Sequence, residues 1–230
     1  MNINLSRTQV GIELNRNMLE ESQFRPLLDA GATFAVVHET REGEGLHTDD
    51  AGTYSTGLAG QIPTYLWGPP EAWSYSFTRN HAGMILPEWP YWDAAYFLEN
   101  LNNPDPHVQQ TVDDESKSLA DMRRVVSGSM IGRYVSSIES ISELERLETD
   151  FLILARIHGQ SDSALETYSA LETGLVASMI AVSELPTLVQ GIETGESASI
   201  AMESGARGVI ISSQSLSVEL VAEVKNSIGG

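Results

Sequence analysis

The side chains able to do chemistry in this sequence are histidines and carboxylates set at the ends of short apolar runs. Glu13 lies in "QVGIEL" (Gln9–Leu14), and His38 and Glu39 close "ATFAVVHE" (Ala32–Glu39). Arg41 follows in a polar stretch, Trp67 nears the end of "IPTYLWG" (Ile62–Gly68), and Glu88 follows "AGMILP" (Ala82–Pro87). Tyr134 lies in "MIGRYVSS" (Met130–Ser137), and Arg156 and His158 in "DFLILARIHG" (Asp150–Gly159). A histidine beside carboxylates serves as general acid or base near neutral pH. His158, His38, Glu13 and Glu39 are therefore the candidate proton-transfer residues. Arg41, Trp67, Glu88, Tyr134 and Arg156 are the candidate substrate contacts. The alternative for both histidines is an ordinary loop position.

Metal chemistry is a weaker reading. Glu13, Glu39 and Glu88 with a histidine form an oxygen-rich set of the kind that holds Mg2+, but no motif of strict spacing supports it. No cofactor is expected. The sequence has no cysteine, which removes disulfides, thiolate ligands and a thiol nucleophile.

A second chemical feature is "LPTLVQGIETGESASIAMESGARGVIISS" (Leu185–Ser213), which reads strand, Gly turn, small-residue helix, strand. Gly191 lets backbone N–H groups approach an anion. Thr194 and Ser197 stand at a helix start, where unpaired N–H groups and the helix dipole favour negative charge. Ser212 and Ser213 bring further donors from the next strand. Gly191, Ile192, Ser212 and Ser213 are thus the expected phosphate seat. The competing reading makes Gly191 a plain turn and the serines caps. Glu193 and Glu196 bring negative charge to the same place and weigh against a phosphate.

Partners are bounded by charge. The 230 residues carry 32 Asp and Glu against 13 Lys and Arg, a formal net charge of −19. Such a surface repels nucleic acid, whose binding rests on neutralising phosphates, and it repels anionic membranes. No apolar run reaches the ~18–20 residues of a membrane span, and no leader-like stretch is recognised. A cytoplasmic protein is expected, binding a phosphorylated small molecule or a protein partner, with homo-oligomerisation left open.

These residues must be positioned by strands. The eight apolar runs, including Pro186–Gly191 and Arg207–Ser213, are continuous rather than alternating, as in parallel strands buried on both faces. Helical patterns such as Met18–Gly31 and "IESISELERLE" separate most of them. Alternating strands and helices imply right-handed βαβ units. Eight units in 230 residues predict a single parallel (β/α)8 barrel domain over 1–230, with a doubly wound sheet as runner-up. In such barrels the active site lies at the C-terminal ends of the strands, and a phosphate often sits after strands seven and eight. The stretch 86–119, "LPEWPYWDAAYFLENLNNPDPHVQQTVDDESKSL", is longer than a usual connection. It predicts an enlarged loop-helix region after strand four, whose aromatics cover the mouth, pack in the core, or form an oligomer or partner surface.

The closing segment "LPTLVQGIETGESASIAMESGARGVIISSQSL" resembles that of thiamine phosphate synthases and their TenI relatives: an apolar strand with a Gly-Gly-Ile turn, a helix, Gly-Ala-x-Gly-Val and a strand ending in Ser. "FAVVHETRE", "IPTYLWGPPEAW", "AGMILPEW" and "MIGRYVSSIESISELERLETDFLILARI" fall in the order of that family's earlier blocks. The resemblance implies the same barrel and a phosphate at Gly191–Ile192 and Ser212–Ser213. It also implies a proton-transfer histidine after strand six, to which His158 is the nearest match, about two positions off. The departures remove the family's own reaction. Arg41 stands for the pyrophosphate-binding Arg, but no Lys follows it. Trp67 and Gly68 replace an Asn-Asp pair, Glu88 is the nearest carboxylate to the fourth-strand Asp, and the second Gly of the Gly-Gly turn is Gln190 here, one place before Gly191. No thiamine phosphate synthase activity is expected. Three readings follow: a diverged enzyme catalysing proton transfer or isomerisation on a phosphorylated, heteroaromatic small molecule; a non-catalytic barrel binding a ligand or partner protein; and a metal-assisted hydrolase or lyase.

Overall fold

In strand β1 (Gln9–Asn15) the odd-numbered residues are Gln9, Gly11 and Glu13, and the even ones Val10, Ile12 and Leu14. Successive strand side chains point to opposite faces. The apolar set joins an outer core, and the other set faces inward. The computed structural model describes residues 2–15, 18–38, 55–67, 81–86, 128–144, 149–158, 167–169 and 172–229. The elements that follow β1 are α1 (Glu21–Asp29), β2 (Phe34–His38), α2 (Thr56–Ala59), β3 (Thr64–Trp67) and β4 (Gly83–Leu86). Next come β5 (Met130–Val135), α3 (Ile138–Leu144), β6 (Phe151–Leu154), β7 (Arg156–His158) and β8 (Thr167–Ser169). The chain continues through α4 (Thr173–Val182), β9 (Thr187–Gln190), α5 (Gly195–Glu203), β10 (Gly208–Ile211) and α6 (Val218–Ile228).

Eight of these strands form a closed parallel barrel in the order β1-β10-β9-β6-β5-β4-β3-β2. The expected (β/α)8 fold is therefore the observed one. Both faces of the strands are buried, as their apolar runs require. Val10, Ile12, Leu14, Val37, Leu152, Val189, Val209 and Ile211 pack outward in one cluster with Phe24 and Leu27 of α1 and Val221 and Val224 of α6. Phe34, Val36, Tyr65, Tyr134, Phe151, Ile153, Leu188 and Ile210 fill the interior. The connection from β4 at Leu86 to β5 at Met130 is the longest between neighbouring barrel strands. Residues 87–119 of the aromatic stretch lie outside the described residues.

Two sequence expectations are corrected here. The apolar run Asp150–Gly159 is not one strand. The barrel strand β6 ends at Leu154, and β7 pairs antiparallel with β8 in a separate two-stranded sheet. Only Ala155 separates the two strands, with no Gly or Pro to signal a break, and the change of partner coincides with the polar residues Arg156 and His158. The helix expected at Met18–Gly31 is shorter, Glu21–Asp29, and carries Pro26 inside it.

Inward glycines make room for inward aromatics. Gly11 lies opposite Phe34, and a Cβ on it would fall 2.3 Å from the Phe34 ring. Gly132 lies opposite Phe151, with the corresponding distance 2.4 Å. Tyr65 stands edge-on to both rings, at centroid separations of 6.4 Å from Phe34 and 5.7 Å from Phe151. Ile3 and Leu5, ahead of β1, pack on this cluster from the chain start. The result is an aromatic floor in the lower barrel.

Gly83 is more tightly constrained, since a Cβ there would lie 1.8 Å from the Met130 carbonyl oxygen. Gly83→Ala must push β4 from β5 and should cost about 1–3 kcal/mol, the usual scale of overpacking. Gly57→Ala meets nothing within 4 Å and should be neutral or stabilising by up to about 1 kcal/mol through helix propensity. Urea unfolding of the two variants checks this; equal stabilities would contradict the packing described.

Candidate functional site

The C-terminal ends of β1, β9 and β10 bring together most of the predicted seat. β1 pairs with β10 through Ile12 opposite Ile211, and β10 pairs with β9 through Ile210 opposite Gln190. That register sets Glu13 beside Ser212 and places Gln190 one step deeper. Glu13 is 9% exposed and Ser212 8%. The Ser213 backbone N–H donates to Glu13 Oε2 at 3.0 Å. A carboxylate of this chain thus sits on a donor expected to hold phosphate. Gly191 has φ of +88°, the left-handed region that favours glycine, as its place in the turn suggests. The Ile192 N–H donates to Ile210 O at 3.4 Å.

The start of α5 is closed by the protein itself. Thr194 and Ser197 form a reciprocal capping box, with Ser197 N donating to Thr194 Oγ1 at 3.1 Å and Thr194 N to Ser197 Oγ at 3.2 Å. The Gly195 N–H donates to Glu223 Oε1 of α6 at 2.6 Å. Gly195 is needed for this approach, because a Cβ there would fall 2.3 Å from Ser227 Oγ. Two carboxylates, Glu13 and Glu223, therefore cover donors that the sequence offers to an anion.

Behind the seat lies a polar pair. The Tyr134 hydroxyl donates to Gln190 Oε1 at 2.6 Å, and both side chains are fully buried. Sequence reading treats Gln190 only as a replaced glycine. The available signal is a polar amide closing an otherwise apolar strand on its inward face. Trp67 ends β3, half-buried against the interior cluster.

The remaining candidates are placed by their backbone alone or lie outside the described residues. His38 ends β2 opposite Asn15. Arg156 and His158 stand opposite Ser169 and Thr167 in the β7–β8 hairpin, off the barrel strand that the sequence assigned to them. Glu39, Arg41 and Glu88 lie outside the described residues. Among the described residues, no group of three or more His, Asp or Glu side chains forms a metal-binding cluster, and no helix is long and apolar enough to cross a membrane.

No protein-family model matches this chain, and no curated protein matches it in sequence. Solved structures do match in fold. Thiamine phosphate pyrophosphorylase from Pyrococcus furiosus is similar at 13% identity and TM-score 0.65, over 98% of this chain and 97% of that one. The tryptophan synthase alpha chain from Legionella pneumophila is similar at 16% identity and TM-score 0.64, over 97% and 92%. The (S)-3-O-geranylgeranylglyceryl phosphate synthase from Thermoplasma acidophilum, in complex with sn-glycerol-1-phosphate, is similar at 12% identity and TM-score 0.63, over 97% and 94%. At these identities the likeness is one of fold: this is the barrel used by several enzymes.

The floor beneath the site has its own titration. Burial pushes the Tyr65 phenol well above the usual tyrosine range; the Ile3 N–H at its oxygen opposes this, and Asp150 adds to it. The unfolded phenol ionises near pH 10. Tyr65 burial therefore carries no pH-dependent penalty below about pH 10, and stability falls above it as only the unfolded chain releases the proton. Unfolding free energies at rising alkaline pH should drop less steeply in Tyr65→Phe than in wild type. Equal slopes would contradict the burial.

Proposed function

We propose that this barrel is an enzyme that moves a proton on a phosphorylated small molecule, with Glu13 as the proton-transfer group. The phosphate is assigned to Gly191, Ile192, Ser212 and Ser213. The supporting observation is the 3.0 Å bond from the Ser213 N–H to Glu13 Oε2: an anionic oxygen already rests on a key donor of the seat. A substrate phosphate competes for that N–H. Taking it releases the Glu13 carboxylate from Ser213, beside the bound substrate, where it accepts a proton from a carbon made acidic by a neighbouring carbonyl or imine and returns it to another atom. His38 and His158 are proposed proton-transfer partners, and Arg41, Trp67, Glu88, Tyr134 and Arg156 substrate contacts. Coupling of a pyrimidine pyrophosphate to a thiazole phosphate is not part of the proposal.

Magnitudes make the exchange finely balanced. A hydrogen bond to a charged group contributes about 1.5–3 kcal/mol. Like charges about 4 Å apart repel by about 4 kcal/mol at an effective dielectric near 20. Two or three new phosphate bonds then do little more than offset the repulsion from Glu13 and the loss of its own bond. Wild type should bind a simple monophosphate only at about millimolar levels, roughly −4 kcal/mol. Glu13→Gln keeps the shape and removes the charge. It should bind at least tenfold more tightly, a gain of about 1.4 kcal/mol or more, while losing turnover. Gly191→Val should abolish binding in both backgrounds. Titrations with inorganic phosphate and glycerol phosphate, followed by NMR, test this. No gain in Glu13→Gln, or no phosphate binding in any variant, would overturn the proposal.

A further inference from the structure

Two buried glutamines face the barrel interior, and they differ. Gln9, at the start of β1, is 5% exposed and satisfied at both ends. Its Nε2 donates to Asn4 O at 2.9 Å and Arg7 O at 3.0 Å, and its Oε1 accepts from Thr33 Oγ1 at 3.1 Å. Gln190, at the mouth end of β9, is wholly buried, and its Oε1 is fixed by Tyr134. Its Nε2 has no hydrogen-bond partner among the described residues, and neither has the Oγ of Ser212. Buried amide and hydroxyl groups are rarely left in this state, because each loses its water without replacement. Turning the Gln190 amide over moves the vacancy to Oε1 without removing it. The two groups lie on the inward faces of adjacent strands, Gln190 opposite Ile210 and Ser212 two residues beyond it.

We propose that Gln190 and Ser212 are the ligand-reading pair of this mouth, and that they take an uncharged amide group, the C(=O)–N–H unit of a lactam or pyrimidinone-type ring. Gln190 Nε2 donates to the carbonyl oxygen, and Ser212 Oγ accepts from the ring N–H. Tyr134 is a positioning residue: its hydroxyl on Oε1 turns the amide so that the donor end faces the ligand. A carboxylate ligand fits worse, because Glu13 lies beside Ser212 in the register of the seam. The aromatic floor of Phe34, Tyr65 and Phe151 closes the lower barrel, so the ligand enters from the strands' C-terminal side. This assignment rests on the mouth being the substrate site, and within the phosphate seat it gives the Ser212 hydroxyl to the ring N–H rather than to the phosphate.

The test uses the full chain, 15N-labelled, with uracil as probe and 1,3-dimethyluracil as the analogue without N–H. Uracil should shift the side-chain NH2 signals of Gln190, and dimethyluracil should bind several-fold more weakly. Gln190→Met should weaken uracil at least tenfold. Tyr134→Phe, which keeps the ring, should weaken it several-fold and serves if Gln190→Met does not fold. Inorganic phosphate should move the Ser213 backbone N–H and leave the Gln190 side chain in place, so each reading can fail alone. Three results would overturn the proposal: no Gln190 shift up to the solubility of uracil, wild-type affinity in the folded Gln190 or Tyr134 variant, or a resident water contact at Nε2 that persists at saturating uracil. Equal binding of uracil and dimethyluracil would remove Ser212 from the pair.

Discussion

The barrel closes where its first strand meets its last, and everything at the mouth depends on that seam. β1 and β10 run in register from Gln9 opposite Gly208 to Ile12 opposite Ile211. Close approach at the lower end needs Gly208, since a Cβ there would fall 2.6 Å from Gln9. At the upper end the next step brings Glu13 to the Ser213 N–H, joining residues 200 positions apart. One hydrogen bond thus extends the closure and sets a carboxylate on the Ser213 N–H. It places a buried negative charge where related architectures leave room for a phosphate.

The seam also divides the interior by chemistry. Below it, glycines on β1 and β5 admit phenylalanines from β2 and β6, and Tyr65 bridges the two rings. At this end Gln9 is satisfied within the chain, while Thr149 Oγ1 ahead of β6 is buried without a partner among the described residues. Above it, Glu13, Ser212 and the Tyr134–Gln190 pair collect on strand ends, with Nε2 and Oγ lacking protein partners among the described residues. An apolar core could have filled that layer at less desolvation cost. A cluster of polar groups at the open end of a barrel is the arrangement expected where a ligand completes the hydrogen bonding.

The architecture was legible because parallel strands buried on both faces must be apolar throughout, and this shows as eight separate runs. The special backbone at Gly191 was legible too, because a turn between an apolar strand and a helix start calls for glycine. Three features were not. The break after Leu154 was not read, because Arg156–His158 follows the apolar strand with no turn residue between, yet pairs in a different sheet. The Glu13–Ser213 bond joins the two ends of the chain, and no local pattern announces it. The α5 start reads as an anion site from its own residues, whereas the carboxylate that fills it, Glu223, comes from the next helix. Gln190 lay between these cases. Its polarity was visible, but only the Tyr134 contact shows which end of the amide is held.

The structure of the chain crystallised at saturating glycerol phosphate would decide whether the seat works by exchange. A phosphate oxygen on the Ser213 N–H, with the Glu13 carboxylate turned off that donor and facing the ligand, is the predicted result. A Glu13 carboxylate still bonded to Ser213, with no phosphate at Gly191, would mean that the chain's own acid fills the site permanently.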